Sequence, residues 1–196
     1  SQDSNPILLN FICGNFFLDP ELGTETQMND DSFLRTNTIF EAFEKAGAKV
    51  AVITAKDKLR KLLGKNLKNA ICFSSEKADT ANMKDNRIEN VLDLVKKPLP
   101  EVYSSDLSEF IFAAGVEIIK KKKIDIMYLS TTDYIQHKCA PGSEIANKFY
   151  HMIDGYLKQL YDLGCEISFT ADHGMKGKTN EDGSLNVIYL QDELDS

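Results

Sequence analysis

Five short runs rich in β-branched and apolar residues punctuate this chain, and helical patterns separate most of them. The runs are residues 49–54, 69–74, 124–129, 166–170 and 186–190. Between them, 34–47 carries Ile39, Phe40, Phe43 and Ala46 near helical spacing, with Gly47 as a carboxyl-terminal stop. Residues 56–63, 87–95, 107–122 and 142–163 also read as helices, the last with Pro141 before it and Gly164 after it. Pro98 and Pro100 mark a loop. Strands separated by helices imply β-α-β crossovers, hence an α/β fold with a mostly parallel sheet sandwiched between helices. A chain of 196 residues suits one such domain spanning 1–196. In sheets of this kind ligands sit at the carboxyl ends of the strands.

Two of those ends carry metal-ligand chemistry. After the run at 124–129 comes Ser130-Thr131-Thr132-Asp133-Tyr134-Ile135-Gln136-His137; after the run at 166–170 comes Ala171-Asp172-His173-Gly174-Met175. Each supplies one carboxylate and one imidazole. Asp133 and His137 are four residues apart and share a face if a helical turn begins there. Asp172 and His173 are adjacent, and Gly174 permits the sharp bend that would let both reach a cation. A single Asp–His pair is more often a structural hydrogen bond. Two pairs at the same end of two strands favour a dinuclear metal site, with zinc the best match to the donors. Such a site clamps a phosphoryl-like group and activates a nucleophile. His151, inside the helix at 142–163, reads as structural.

Composition narrows the partners. A net charge of −7 and a pI near 5.0 argue against a nucleic-acid surface. No apolar stretch approaches membrane-spanning length, and the first six residues lack the pattern of a signal peptide. The cysteines Cys13, Cys72, Cys139 and Cys165 form no close pair, so free thiols are expected, those of Cys72 and Cys165 buried. A cytoplasmic enzyme acting on a small molecule is the resulting expectation, with a homodimer the default assembly. Lys120 to Lys123 read as solvated cations at the negative end of a helix dipole rather than an anion site.

These segments resemble those of the phosphonoacetate hydrolase family in the alkaline phosphatase superfamily. The likeness rests on Ile12-Cys13-Gly14-Asn15-Phe16-Phe17, on the stretch from Ala48 to Arg60 that includes Thr54-Ala55-Lys56-Asp57-Lys58, and on Phe73-Ser74-Ser75-Glu76-Lys77-Ala78-Asp79. It continues through Tyr128 to Lys138, Thr170 to Met175 and Asn186 to Asp192. The resemblance implies an alkaline-phosphatase-like core and a two-zinc hydrolase that cleaves the carbon–phosphorus bond of a small phosphonate, phosphonoacetate, to acetate and phosphate. It implies that Asp133 and His137 ligate one zinc and Asp172 and His173 the other, that Asn15 contacts the phosphonyl oxygens, and that Lys56 and Lys58 hold the substrate carboxylate. For the lysines there is an independent reason: both follow the strand ending at Thr54, so they share the metals' sheet edge.

The family pattern also contains elements with no counterpart here, namely an early Asp ligand and a late His ligand. Its nucleophile lies in a Thr-Asn-Pro segment; Ser4-Asn5-Pro6 is similar but about ten residues too close to Ile12, which leaves Ser4 as the candidate nucleophile. On this pattern the chain reads as truncated at both ends, with two ligands per zinc instead of the usual three or four. Three accounts are open: a piece of an active enzyme, a degenerate homologue without turnover, or a sequence from which segments are omitted. Two other functions compete with phosphonoacetate hydrolysis: a phosphodiesterase or nucleotide pyrophosphatase of the same superfamily, and a non-catalytic metal- or anion-binding homologue.

Overall fold

A computed structural model describes residues 16–19, 22–27, 30–34 and 36–195. Strands β1 (Phe16–Asp19) and β2 (Thr24–Gln27) form an antiparallel hairpin that the sequence pattern did not indicate. Helix α1 (Ile39–Lys45) follows, and Thr38 caps it by accepting a hydrogen bond from the Glu41 amide. It is shorter than the run expected over 34–47, because Thr38 is still extended (φ −75°, ψ 155°) and helix begins only after it; Asp31–Phe33 forms a separate 3-10 turn capped by Asp30.

The core is a three-stranded parallel sheet. Strand β3 (Val50–Thr54) sits at its centre, flanked by β4 (Ile71–Ser74) and β5 (Ile126–Ser130). Thr54 is in register with Ser74 on one side and Ser130 on the other, so all three strands end at one edge. Helix α2 (Asp57–Leu63) connects β3 to β4. The return from β4 to β5 passes through the short helices α3 (Met83–Asn86) and α4 (Val91–Val95) and the long α5 (Asp106–Lys121). Helices α6 (Tyr134–Lys138), α7 (Glu144–Asp162) and α8 (Leu190–Leu194) complete the described elements. The expected α/β class, a parallel sheet between helices, is the fold observed.

Strand alternation divides the core. Val50, Val52 and Cys72 face Phe40 of α1 and Leu63 of α2. Ala51, Ile53, Ile71 and Phe73 face the opposite way, against α4 and α5. Helix α5 presents Leu107, Phe110, Ile111, Ala114 and Ile118 to that face, a 3–4 residue spacing, and each is at most 1 % exposed. Each large side chain so buried contributes about 1.5–3 kcal/mol. At its far end Lys120 and Lys121 pair with Glu117, in keeping with a solvated cationic terminus. Gly115 lets α5 approach β5 closely: a Cβ there would lie 3.1–3.2 Å from the Leu129 methyls and the Met127 sulfur.

Two expected strands are not formed. Residues 166–170 and 186–190 have strand composition, but neither joins a ladder; Phe169 is 86 % exposed, and the nearby pairing is a lone bridge between Thr179 and Leu185. Composition supplies only half of a strand, and hydrogen bonding to a neighbour supplies the rest. Cys165, expected to be buried, is half-buried for the same reason, as is Cys139. Cys72 is buried and free, and burial pushes its thiol up to about 11. Cys13 lies outside the described residues. His151 stands on an exposed face of α7. No described helix is long and apolar enough to cross a membrane.

Two outcomes check this packing. Replacing Gly115 with Leu should overpack the α5–β5 contact and destabilise the chain by about 1–3 kcal/mol, measurable by denaturant unfolding. At pH 8 iodoacetamide should label Cys139 and Cys165 first and Cys72 slower by on the order of tenfold or more, because Cys72 is buried and its thiol is pushed up to about 11; peptide mass spectrometry reads the order.

Candidate metal and anion site

The parallel register of β3 and β5 brings two loops together at the sheet's carboxyl edge. The first is the turn from β3 into α2. Ala55 donates its amide to the Ser130 carbonyl across the strand ends (2.9 Å), and Thr54 Oγ1 donates to the Lys56 carbonyl (2.8 Å). Asp57 is the first residue of α2 and is buried; Arg60, Lys61 and Lys77 surround its carboxylate. Burial opposes the charged form of Asp57, but the Arg60 guanidinium and the two ammonium groups outweigh it and hold the carboxyl below its ordinary range. Asp57 and the Glu76 carboxylate, which accepts the Asp57 amide, also offset the cost of placing lysines at the positive end of a helix dipole.

Lys56 and Lys58 both line a cleft of about 290 Å³ with Ala55, Leu59, Leu62, Ser130 and Thr131. The i, i+2 lysines therefore converge on one space, because Lys56 is still extended (φ −105°, ψ 139°) and helix begins only after it. Burial lowers the pKa of the Lys58 ammonium, which marks this cation as partly desolvated.

The second loop leaves β5. Ser108, buried at the start of α5, accepts the Thr132 amide (3.3 Å) and ties the loop to the core. Asp133 then begins α6, and one turn later the His137 amide donates to the Asp133 carbonyl (2.9 Å). The shared face expected for this i, i+4 pair is realised: Asp133 Oδ2 and His137 Nε2 are 2.7 Å apart.

His173 comes to the same place. Asp133, His137 and His173 offer one ligand atom each within 4.8 Å of one another, and the two imidazole centroids are 6.2 Å apart. The Gly174 carbonyl accepts from His173 Nδ1 (3.0 Å), which leaves Nε2 free to coordinate. That bond, then Asp172 and more weakly Asp133, raises the His173 pKa. Asp172 Oδ2 lies 3.8 Å from His173 Nε2, and Asp172 Oδ1 accepts the His173 amide (3.1 Å). The geometry thus groups His173 with Asp133 and His137, and Asp172 flanks that trio. One carboxylate and two imidazoles form a donor set that suits zinc or another borderline divalent metal. Two further positions, the expected nucleophile Ser4 and the phosphonyl contact Asn15, lie outside the described residues.

Two aromatic residues went unnoticed in the sequence. Tyr103 places its ring 5.0 Å from the Lys56 ammonium and 6.1 Å from the ring of Tyr134, the residue after Asp133. They connect Lys56 to the turn that carries Asp133. Their signal was only a tyrosine in a proline-bounded loop and another beside a ligand, which no spacing rule connects.

Two crystal structures of phosphonoacetate hydrolase from Sinorhizobium meliloti 1021, in complex with phosphonoformate and with phosphonoacetate, match at 53 % identity, with TM-scores of 0.84 and 0.83. Each alignment covers 98 % of this chain and 50 % of that one, so this chain spans about half the length of those relatives. Residues 10–195 match the family model described as type I phosphodiesterase / nucleotide pyrophosphatase. With nearly the whole sequence inside that match, the chain belongs to the type I phosphodiesterase/nucleotide pyrophosphatase family of the alkaline phosphatase superfamily.

Proposed function

We propose that this chain carries part of a metal-dependent catalytic domain that hydrolyses phosphonoacetate to acetate and phosphate. The observation that carries the reading is the placement of the Asp133–His137–His173 cluster and the Lys56–Lys58 cleft on adjoining strand ends. A cation site beside a cationic cleft suits a small ligand with an anionic group at each end. The relatives crystallised with phosphonoformate and phosphonoacetate support the same ligand class. Zinc is the metal of this reading, the setting cytoplasmic, and a homodimer the default assembly.

Asp133, His137 and His173 would hold one zinc, and Asp172 beside them would help to hold the second that the family resemblance implies. When bound, the metal supplies positive charge against the phosphonyl oxygens and activates the attacking oxygen. Lys56 and Lys58 orient the other end of the substrate by its carboxylate. As the carbon–phosphorus bond breaks, its electron pair passes to the methylene carbon and delocalises into that carboxylate, where the two ammonium groups offset the added charge. A proton from solvent on the methylene then gives acetate, and a water that displaces the nucleophile's oxygen from phosphorus releases phosphate. Ser4 remains the proposed nucleophile and Asn15 the proposed phosphonyl contact, both by family resemblance.

The family description favours a second reading, phosphodiester or nucleotide pyrophosphate hydrolysis. The lysine cleft argues against it, since such substrates carry no carboxylate there. The exposure of all three clustered ligands suits the third reading, a metal-binding protein without turnover.

Phosphate release from phosphonoacetate by the zinc-loaded chain, with none from p-nitrophenyl phosphodiesters, is the expected result; the reverse pattern establishes the phosphodiesterase reading, and zinc binding without either activity the non-catalytic one. Asp133→Ala, His137→Ala and His173→Ala should each lower zinc affinity by about tenfold or more, read by calorimetry. Asp172→Ala should abolish phosphate release. Lys56→Ala should reduce turnover of phosphonoacetate more than that of a substrate without the carboxylate, and equal losses on both would remove the carboxylate role.

A further inference from the structure

We propose that Tyr103 is a positioning residue that holds the Lys56 ammonium at the mouth of the cleft with its hydrogen-bond donors open to an incoming carboxylate. The inference rests on the proposed phosphonoacetate reading and names a determinant of its specificity.

Two groups locate Lys56 Nζ. The Glu76 Oε2 atom lies 3.7 Å away, and the Tyr103 ring centroid 5.0 Å away. The first distance suits an ion pair but is too long for a hydrogen bond, and a ring face attracts a cation through its quadrupole. Charge and ring therefore fix the ammonium without consuming its three N–H donors in strong bonds. Glu76 is itself anchored, because its other oxygen accepts the Asp57 amide at the start of α2. Tyr103 sits in a short loop that the Ser104 hydroxyl fastens by donating to the Glu101 carbonyl (2.9 Å). A free lysine loses much rotamer entropy when a ligand captures it, and a lysine already placed loses less. Tyr103 is 74 % exposed, so core packing does not account for its position.

The arrangement also sets a charge count. Lys56 and Lys58 bring two positive charges to the cleft and Glu76 returns one negative, which leaves one net positive charge. That matches a single carboxylate arm. A ligand lacking the carboxylate gains nothing from the Tyr103–Lys56 contact.

The test compares binding of phosphonoacetate and methylphosphonate to the zinc-loaded chain by calorimetry, for wild type, Tyr103→Phe, Tyr103→Ala, Lys56→Ala and the double variant Tyr103→Ala/Lys56→Ala. Tyr103→Phe keeps the ring and should bind both ligands like wild type. Tyr103→Ala should weaken phosphonoacetate by about two- to fivefold, the worth of an exposed cation–ring contact, and leave methylphosphonate unchanged. The double variant should bind phosphonoacetate no more weakly than Lys56→Ala alone. Equal weakening of both ligands by Tyr103→Ala, a further loss in the Lys56→Ala background, or a wild type that does not prefer phosphonoacetate would each overturn the proposal. The comparison needs no turnover. Carboxylate selectivity that depends on Tyr103 in a chain that does not hydrolyse phosphonoacetate would sink only the catalytic reading, and hydrolysis without that selectivity only this one.

Discussion

The parallel pairing of β3 with β5 is the constraint on which the candidate site depends. Parallel strands run the same way, so their carboxyl ends meet at one edge, and the register of Thr54 opposite Ser130 makes those ends level. A lysine loop and a carboxylate–imidazole loop, separated by more than seventy residues of sequence, become neighbours without any direct contact having to specify it. The two sheet faces explain why this register is fixed. Shifting β3 by one residue would turn Ala51 and Ile53 away from α5 and exchange them with Val50 and Val52, and both faces are fully buried.

Charge at that edge is arranged locally. The chain is acidic overall, yet the cleft between the strand ends gathers two lysines, one with its pKa lowered by burial. Asp57 and Glu76 make this arrangement tolerable. Asp57 neutralises the cations of the first turn of α2, and Glu76 serves the amide end of that helix and Lys56 with its two oxygens. Neither acid lines the cleft. The result is a cationic lining, partly balanced by Glu76 beside Lys56 and suited to attract an anion.

Much of this was legible because it is periodic. The apolar runs at 49–54, 69–74 and 124–129 correspond to three observed strands, the last of them only half-buried where burial was expected, and α5 and α7 lie where helical spacing placed them. The i, i+4 relation of Asp133 and His137 is a local geometry that sequence can express. The runs at 166–170 and 186–190 were misread because pairing is non-local: nothing in Glu166-Ile167-Ser168-Phe169-Thr170 records whether a neighbouring edge is engaged. The convergence of Asp133, His137 and His173 is non-local in the same way: the motifs locate each ligand near a strand end, and only the fold shows the imidazole of His173 reaching the β5 loop while Asp172 stays beside it. Tyr103 left no periodic trace at all.

The Asp133–His137 contact has a further consequence for how such a cluster behaves. At 2.7 Å the carboxylate and imidazole are in hydrogen-bond contact, and a divalent cation must displace that contact to use the same two atoms. The third imidazole faces the same competition, since hydrogen bonding to Gly174 and the charge of Asp172 both favour its protonated form. Because that pKa is raised, the proton is held up to a higher pH than on an ordinary histidine and is released only as the pH climbs through it. Cation and proton therefore contend at His173. Exposure screens each contact with water and keeps the protons exchangeable. An anion beside the cluster would enter this balance from the opposite side, favouring whichever occupant is more positive, a divalent ion over a proton. Such an anion and the metal would then be coupled through electrostatics across one strand edge.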